Sequence, residues 1–239
     1  FLNGVKGYLK SIAMSLKLEK DLFIATVRTY LQPMALGFVL RWVFVNQTWW
    51  IVIGLMLVMV VSAARVVLKR APDAPTGVFG SAALSMVLTA FTVTFAVTAF
   101  IVRVPTWYEA RYVLPIAGMV IGNSMTGIAL AVERLFSDME GRNGEMLTLT
   151  ALGATPWEAA RSSVRTALTA GMMPTINSMV AVGIVFIPGM MTGQILAGAD
   201  PLEATKYQIV VMLMISAATA IGAIAAVMLM YRKRFTDEG

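Results

Sequence analysis

The sequence contains no cysteine and no histidine among its 239 residues. Disulfides, zinc sites built from these residues and nucleophile pairs of the Ser–His or Cys–His type are therefore excluded. The phosphate-binding pattern GxxxxGK[ST] is also absent. Only 13% of the residues are charged, and no lysine lies deep within an apolar stretch, which argues against a Ser–Lys hydrolase. We therefore predict that the chain is not an enzyme and carries no cofactor of its own.

Apolar residues are abundant: they make up 58% of the chain, and the mean hydropathy is +0.77. This composition predicts an all-α integral membrane protein, because a span needs about 20 apolar residues. The apolar runs predict six spans, which lie near residues 22–44, 49–68, 78–102, 114–133, from 166 onward, and 207–230. Because the sequence begins with Phe1 and no methionine precedes it, we expect the native start, and possibly a whole segment, to be missing or processed.

The basic residues are divided unequally between the two sets of connections. Residues 1–20 have the pattern of a basic interfacial segment, and further basic residues lie at 69–70, between 134 and 165, and at 232–234. The opposite connections hold only Arg41, Arg103, Arg111 and Lys206. The positive-inside rule predicts a multi-pass protein of the plasma (inner) membrane with both ends of the chain cytoplasmic. Since topology explains the net charge of +6, we expect the lipid bilayer and no nucleic acid as a partner.

The longest polar interruption lies within residues 135–165. Gly153 suits the left-handed position that ends a helix, while Thr155 and Pro156 suit the N-cap and first residue of the next helix. Glu158 completes a capping box. These signals predict a cytoplasmic helix-turn-helix that docks a partner, and the alternative is an ordinary solvated loop.

Small and polar residues are concentrated in the fourth and fifth spans and in residues 187–201, which we predict to be a re-entrant or membrane-edge hairpin. Polar groups inside a membrane line a pathway or pack helices through local hydrogen bonds, and both interpretations remain open. The candidate translocation path consists of Met119, Gly122, Asn123, Ser124, Met125, Pro174, Thr175, Asn177, Met179, Met190 and Met191. Thioethers favour soft ions, so the residues that contact a metal stay unknown.

The string LGATPWEAA at residues 152–160 resembles the cytoplasmic coupling loops of ABC transporter permeases. Together with LPIAGMVIGNSM (114–125), PGMMTGQILAGADPLEATKYQI (188–209) and YRKRF (231–235), it resembles the FetB-type iron-export permease family, which includes plant aluminium-tolerance permeases. The loop departs from the importer pattern because no Leu-Pro pair follows Gly153 at the usual distance.

The resemblance implies that residues 1–239 form one permease domain that dimerises and exports a metal ion such as iron, or a related compound. It also implies a seventh span upstream of Phe1, because members usually have one more N-terminal span. A separate ATP-binding subunit would hold ATP and Mg and dock on Glu145, Leu149, Leu152, Gly153, Ala154, Thr155, Pro156 and Trp157. The alternatives from other classes are a nucleotide-independent channel or secondary carrier, and a scaffold subunit that moves nothing.

Overall fold

A computed structural model describes residues 19–46, 48–71, 77–104 and 106–236. The basic interfacial segment predicted at 1–20 lies almost entirely outside the described residues, as does most of the connection between the second and third spans. The described part is all-α, as predicted. Its helices are α1 (Glu19–Asn46), α2 (Trp49–Lys69), α3 (Phe79–Ala96, continued by the π-helical stretch Val97–Val102), α4 (Ala110–Gly141), α5 (Asn143–Ala151), α6 (Pro156–Ala181), α7 (Gly189–Leu196), α8 (Pro201–Met230) and α9 (Lys233–Thr236).

Five of the described helical segments are long and apolar enough to span a membrane: Leu22–Asn46, Trp49–Lys69, Phe79–Val102, Ala110–Gly141 and Pro201–Met230. The predicted count of six is therefore not confirmed. The missing span is the one predicted from residue 166, which forms the second half of α6. From there to the end of α6 at Ala181 the helix is about 24 Å long, less than the ~30 Å hydrocarbon layer, and it contains several polar residues.

The chain divides after Ile51 into two compact units. In the first unit, α1 continues through Pro33 and exposes most of its side chains. In the second unit, α4 packs along α6 and α8, and α3 packs against α8. Part of this core is an apolar cluster of Val93, Val97, Val120, Val211, Met214 and Ala218.

Three helices of the second unit approach each other closely at glycines. A Cβ atom on Gly127 of α4 would lie 2.8 Å from the carbonyl oxygen of Gly171 in α6, and 2.3 Å from a methyl carbon of Thr219 in α8. A Cβ on Gly171 would lie 2.7 Å from the carbonyl oxygen of Gly127. Side chains are therefore excluded where α4 and α6 cross. The packing role predicted for small residues in the fourth span holds at Gly127, whereas Gly122 has nothing within 4 Å.

The contacts of α8 identify the two ends of the second unit. Tyr231, directly after α8, packs edge-on against Trp157 at the start of α6, with ring centroids 5.6 Å apart. Lys233 Nζ donates a hydrogen bond of 2.6 Å to the carbonyl oxygen of Gly77. The turn before Pro201 lies at the other end of α8, which is about 45 Å long. The start of α6 and the turn before α8 are thus at opposite ends of α8.

Candidate functional site

The turn between α5 and α6, residues 152–155, is held by backbone hydrogen bonds. The amide of Ala154 donates to the carbonyl oxygen of Leu149 (2.9 Å), and the amide of Gly153 donates to that of Thr150 (3.0 Å). This pair of bonds is a Schellman motif, which requires a left-handed residue that glycine provides most easily. Gly153 has φ +92°, as the sequence predicted. We call residues 152–157 the coupling turn.

The first turn of α6 is closed by the predicted capping box. The side chain of Thr155 accepts a hydrogen bond of 3.3 Å from the amide of Glu158. In return, Glu158 Oε2 accepts 2.8 Å hydrogen bonds from the amide and from the hydroxyl of Thr155. The backbone hydrogen bond from Thr155, followed by that from its hydroxyl, lowers the pKa of Glu158. The helix-turn-helix prediction is therefore confirmed at the level of single hydrogen bonds.

An arginine between α4 and α5 connects three helices beside the coupling turn. The guanidinium of Arg142 donates two hydrogen bonds to Glu145, of 2.8 and 2.9 Å, and a third of 2.5 Å to the hydroxyl of Ser162 in α6. Its Nη1 lies 3.8 Å from a carboxylate oxygen of Asp138 in α4. The hydrogen bond from Arg142 lowers the pKa of Glu145 and, reciprocally, raises the pKa of Arg142. Bidentate pairing restricts the arginine, so α5 is fixed relative to α4 and α6.

The predicted coupling residues have different exposures. Leu152 is 81% exposed and Gly153, Thr155 and Pro156 are also exposed, so together they form the accessible tip of the coupling turn. Trp157 is partly covered by Tyr231. Leu149 and Ala154 are half-buried, and the carboxylate of Glu145 accepts hydrogen bonds from Arg142. A partner at this end of the molecule would therefore contact the tip, whereas the other predicted residues support it.

The same local structure recurs before α8. Ala199 donates to the carbonyl oxygen of Gln194, Gly198 has φ +92°, and the side chain of Asp200 caps the amides of Leu202 and Glu203. The sequences GATPWEA (153–159) and GADPLEA (198–204) are correspondingly similar. Because the two turns lie at opposite ends of α8, position in the molecule rather than local geometry distinguishes the coupling turn.

Most of the candidate path residues line two neighbouring cavities. A cavity of about 430 Å³, which we call the central cavity, lies among α4, α6, α7 and α8 and is lined by Met119, Asn123, Pro174, Thr175 and Met190. A second cavity, of about 530 Å³, lies between the end of α6, the hairpin and the start of α8, and it is lined by Met179 and Met191. Both volumes are within the ~300–1,000 Å³ usual for small-molecule sites.

Four predicted path residues line neither cavity: Gly122, Ser124, Met125 and Asn177. Ser124 is fully buried, and its hydroxyl donates to the carbonyl oxygen of Val120 (2.6 Å) within its own helix. Gly122 and Asn177 are exposed on the outside of the unit. The structure therefore brings Met119 and Asn123 together with Pro174 and Thr175 in the wall of the central cavity. The four residues named first lie outside both cavities.

Gln208 lines both cavities and was not predicted as a site residue. It is a buried amide at the start of the apolar stretch of α8. The sequence could have indicated this residue, because a glutamine within a span needs a hydrogen-bond partner. It was missed because the span was predicted to begin only one residue earlier, which placed Gln208 at the membrane edge.

The cavities contain no charged side chain. Their polar members are amides and hydroxyls, and the described residues include no group of three or more carboxylates that could hold a metal ion. The residues at 187–201 predicted as a hairpin form a bend, the short helix α7 and the turn before α8. Their position relative to the membrane stays a prediction.

Comparison with known proteins gives the family. A model described as uncharacterised protein family UPF0014 matches residues 6–235. The chain belongs to this family. Its UPF0014 relatives include the UPF0014 membrane protein slr1647 of Synechocystis, which is 38% identical over 93% of this chain and 86% of its own length.

Two further relatives carry more specific names. The protein ALUMINUM SENSITIVE 3 of Arabidopsis thaliana is 35% identical over 95% of this chain and 81% of its own length. The probable iron export permease protein FetB of Escherichia coli is 32% identical over 98% of this chain and 88% of its own length. No solved structure matches. The resemblance identified from sequence motifs is thus confirmed, and the protein is a multi-pass membrane protein of the UPF0014 family.

Proposed function

We propose that this chain is the membrane-spanning permease subunit of an ABC transporter that exports a metal ion such as iron, or a related compound. A separate ATP-binding subunit, which holds ATP and Mg, docks on the coupling turn. The observation that carries the proposal is a rigid turn with exposed side chains at residues 152–157, on the end where α5, α6 and α8 meet. The name of the relative FetB, an iron export permease, supports the substrate class.

The mechanism we propose is a lever. Helix α6 runs from the coupling turn at Pro156, past its contact with α4 at Gly171 and through Pro174, which removes one backbone hydrogen bond, to Ala181 beside the cavities. The helix carries a displacement of its coupling end toward the cavities. ATP-driven movement of the partner at the coupling turn would pivot α6 about its crossing with α4 and change the shape of the central cavity.

The orientation follows from charge. Arg134, Arg142, Arg161 and Arg165 lie near the coupling turn, and the basic residues after α8 reach the same end. The positive-inside rule assigns this end to the cytoplasmic side of the inner membrane, where an ATP-binding subunit has access to ATP.

A second copy of the chain is also part of the proposal. The side chain of Asn177 is exposed on the second half of α6, outside both cavities. The sequence predicts that this stretch lies in the membrane, where an amide facing lipid is unfavourable and contact with another permease would cover it. Because the sequence has no cysteine, Asn177→Cys gives a single reactive site. We expect bifunctional thiol reagents to crosslink this variant into dimers in membranes, but not Val58→Cys, whose parent residue on α2 is 64% exposed and apolar. Equal crosslinking of both variants would contradict a homodimer through this face.

The decisive experiment is co-purification of the full-length protein with its endogenous partners, followed by ATP hydrolysis in lipid. We expect an ATP-binding subunit to co-purify, and Leu152→Glu to abolish both the association and the hydrolysis dependent on the permease. Leu152 is 81% exposed, so this change leaves the fold intact. The matched control is Leu202→Glu, a change at the 66%-exposed leucine beside the similar turn at the opposite end, which should have no effect on association.

The alternative is a nucleotide-independent channel or secondary carrier. If the protein purifies without an ATP-binding subunit and moves iron across liposome membranes without nucleotide, the ABC proposal is wrong and this alternative replaces it.

A further inference from the structure

Gln208 is a polar side chain in the core of the second unit that has no hydrogen-bond partner. It is only 6% exposed, and the described residues give its side chain no hydrogen bond. Its Oε1 is fully buried. Buried amides in proteins are nearly always hydrogen-bonded, and an unpaired one calls for a specific explanation such as a bound ligand.

The surroundings of Gln208 supply space for such a ligand. The residue lies on α8 where the central cavity and the second cavity adjoin, and with Met212 it is one of the two residues that line both. The torsion that turns the terminal amide has broad minima, so rotation presents either its oxygen or its nitrogen to the cavities.

Three other polar groups of the central cavity are engaged as donors within the protein. Asn123 Nδ2 donates to the carbonyl oxygen of Met119 (2.8 Å), and the hydroxyl of Ser178 donates to that of Pro174 (2.9 Å). The hydroxyl of Thr175 donates to that of Thr219 (3.4 Å). Besides the amide of Gln208 and the hydroxyl of Thr126, the wall offers oxygen acceptors, thioethers and apolar surface, so a ligand that brings its own hydrogen-bond donors matches most of it.

The absence of charge in the lining limits the ligand further. A bare di- or trivalent cation would lose its water without gaining a carboxylate, and ferric or aluminium ions require charged oxygen ligands. An anion would likewise find no lysine or arginine among the lining residues. Only a ligand without net charge avoids both penalties.

We propose that Gln208 is the central hydrogen-bond group of a binding site for an uncharged ligand with N–H donors, and that a trivalent metal enters this site only as a neutral chelate. The inference deepens the proposed function, on which its physiological meaning rests, by naming the form in which a metal would be carried.

The test uses full-length purified protein in detergent micelles and the neutral complex iron(III) tris(acetohydroxamate), which carries three outward N–H donors. Binding is measured by equilibrium dialysis with excess acetohydroxamate, using the visible absorbance of the complex and protein-free micelles as a blank. We expect saturable binding, and a rise of the dissociation constant by about tenfold in Gln208→Leu, because the ligand donor is then left unpaired. The control Gln194→Leu removes a second unpaired amide that lines neither cavity, and binding should be unchanged.

A second ligand identifies the hydrogen bond. Iron(III) tris(N-methylacetohydroxamate) has the same charge and metal centre but no N–H group. We expect it to bind the unsubstituted protein about tenfold more weakly than the acetohydroxamate complex does. The substitution Gln208→Leu should not weaken binding of this second complex any further. Ferrous ion should not compete with either complex.

Equal affinity of Gln208→Leu and the unsubstituted protein would overturn the inference, as would competition by ferrous ion or no saturable binding at all. These outcomes do not depend on the ATP-binding subunit. If the permease fails to associate with one while Gln208-dependent binding persists, the ABC proposal fails alone. If ATP hydrolysis depends on Leu152 but binding does not depend on Gln208, the ligand site fails alone.

Discussion

A close contact between α4 and α6 depends on two glycines, Gly127 and Gly171. Gly127 has helical backbone angles, so glycine is needed there because it has no side chain and not because of its backbone flexibility. We expect Gly127→Ala to lower the free energy of unfolding by about 1–3 kcal/mol, because the added methyl group meets the carbonyl oxygen of Gly171 at 2.8 Å. Thermal unfolding in detergent measures the change.

The same helix supplies the control. Gly122→Ala adds the same methyl group where nothing lies within 4 Å, so its midpoint should stay the same or rise slightly. If Gly127→Ala proves as stable as Gly122→Ala, α4 and α6 do not cross at Gly127.

Sequence reasoning identified some individual residues and missed others for physical reasons. Gly153 and Thr155 were predictable because their roles depend on residues adjacent in sequence, through a turn and a cap. Gly122 and Gly127 look alike in sequence, yet only Gly127 meets another helix. Gln208 was not predictable because the cavities that it lines are formed by four helices, and no local sequence pattern indicates them.

The coupling turn makes a prediction about pH. The pKa of Glu158 is lowered in the folded protein, so its charge stabilises the turn fully above its ordinary pKa of 4.5, and this stabilisation is lost as the pH falls through the lowered value. Glu158→Gln keeps a hydrogen-bonding side chain without the charge. Amide hydrogen exchange of residues 153–158, corrected for intrinsic rates, should be slower in the unsubstituted protein than in Glu158→Gln at pH 7, and the difference should shrink as the pH falls below 4.5.

A cap substitution tests the other half of the capping box. Thr155→Ala removes the oxygen that accepts from the amide of Glu158 and the hydroxyl that donates to its carboxylate, and we expect it to weaken the start of α6 by about 1 kcal/mol at pH 7. If the difference between the unsubstituted protein and Glu158→Gln does not shrink as the pH falls below 4.5, the charge of Glu158 does not contribute, and the cap alone holds the turn.

Long helices were predicted more reliably than short membrane elements. The five segments confirmed as long and apolar enough to span a membrane are sustained apolar runs, which length and hydropathy identify. Helix α6 combines a polar first half with a short apolar second half, and its end at Ala181 is set by a turn in which Gly183 has φ +79°. The sequence signalled the breaks near Pro188 but not that the helix stops well before them.

Two similar turns lie at opposite ends of α8 in the second unit, and this makes the topology of that unit testable. Leu152→Cys and Ala199→Cys place one thiol in each exposed turn of a chain without native cysteine. A membrane-impermeant maleimide applied to intact cells should label Ala199→Cys and leave Leu152→Cys unlabelled until the membrane is permeabilised, because the basic residues assign the coupling turn to the cytoplasm. Labelling of both from the same side would contradict α8 as a span. Labelling of Leu152→Cys alone in intact cells would keep the span but reverse the orientation, and an ATP-binding subunit could then not reach the coupling turn.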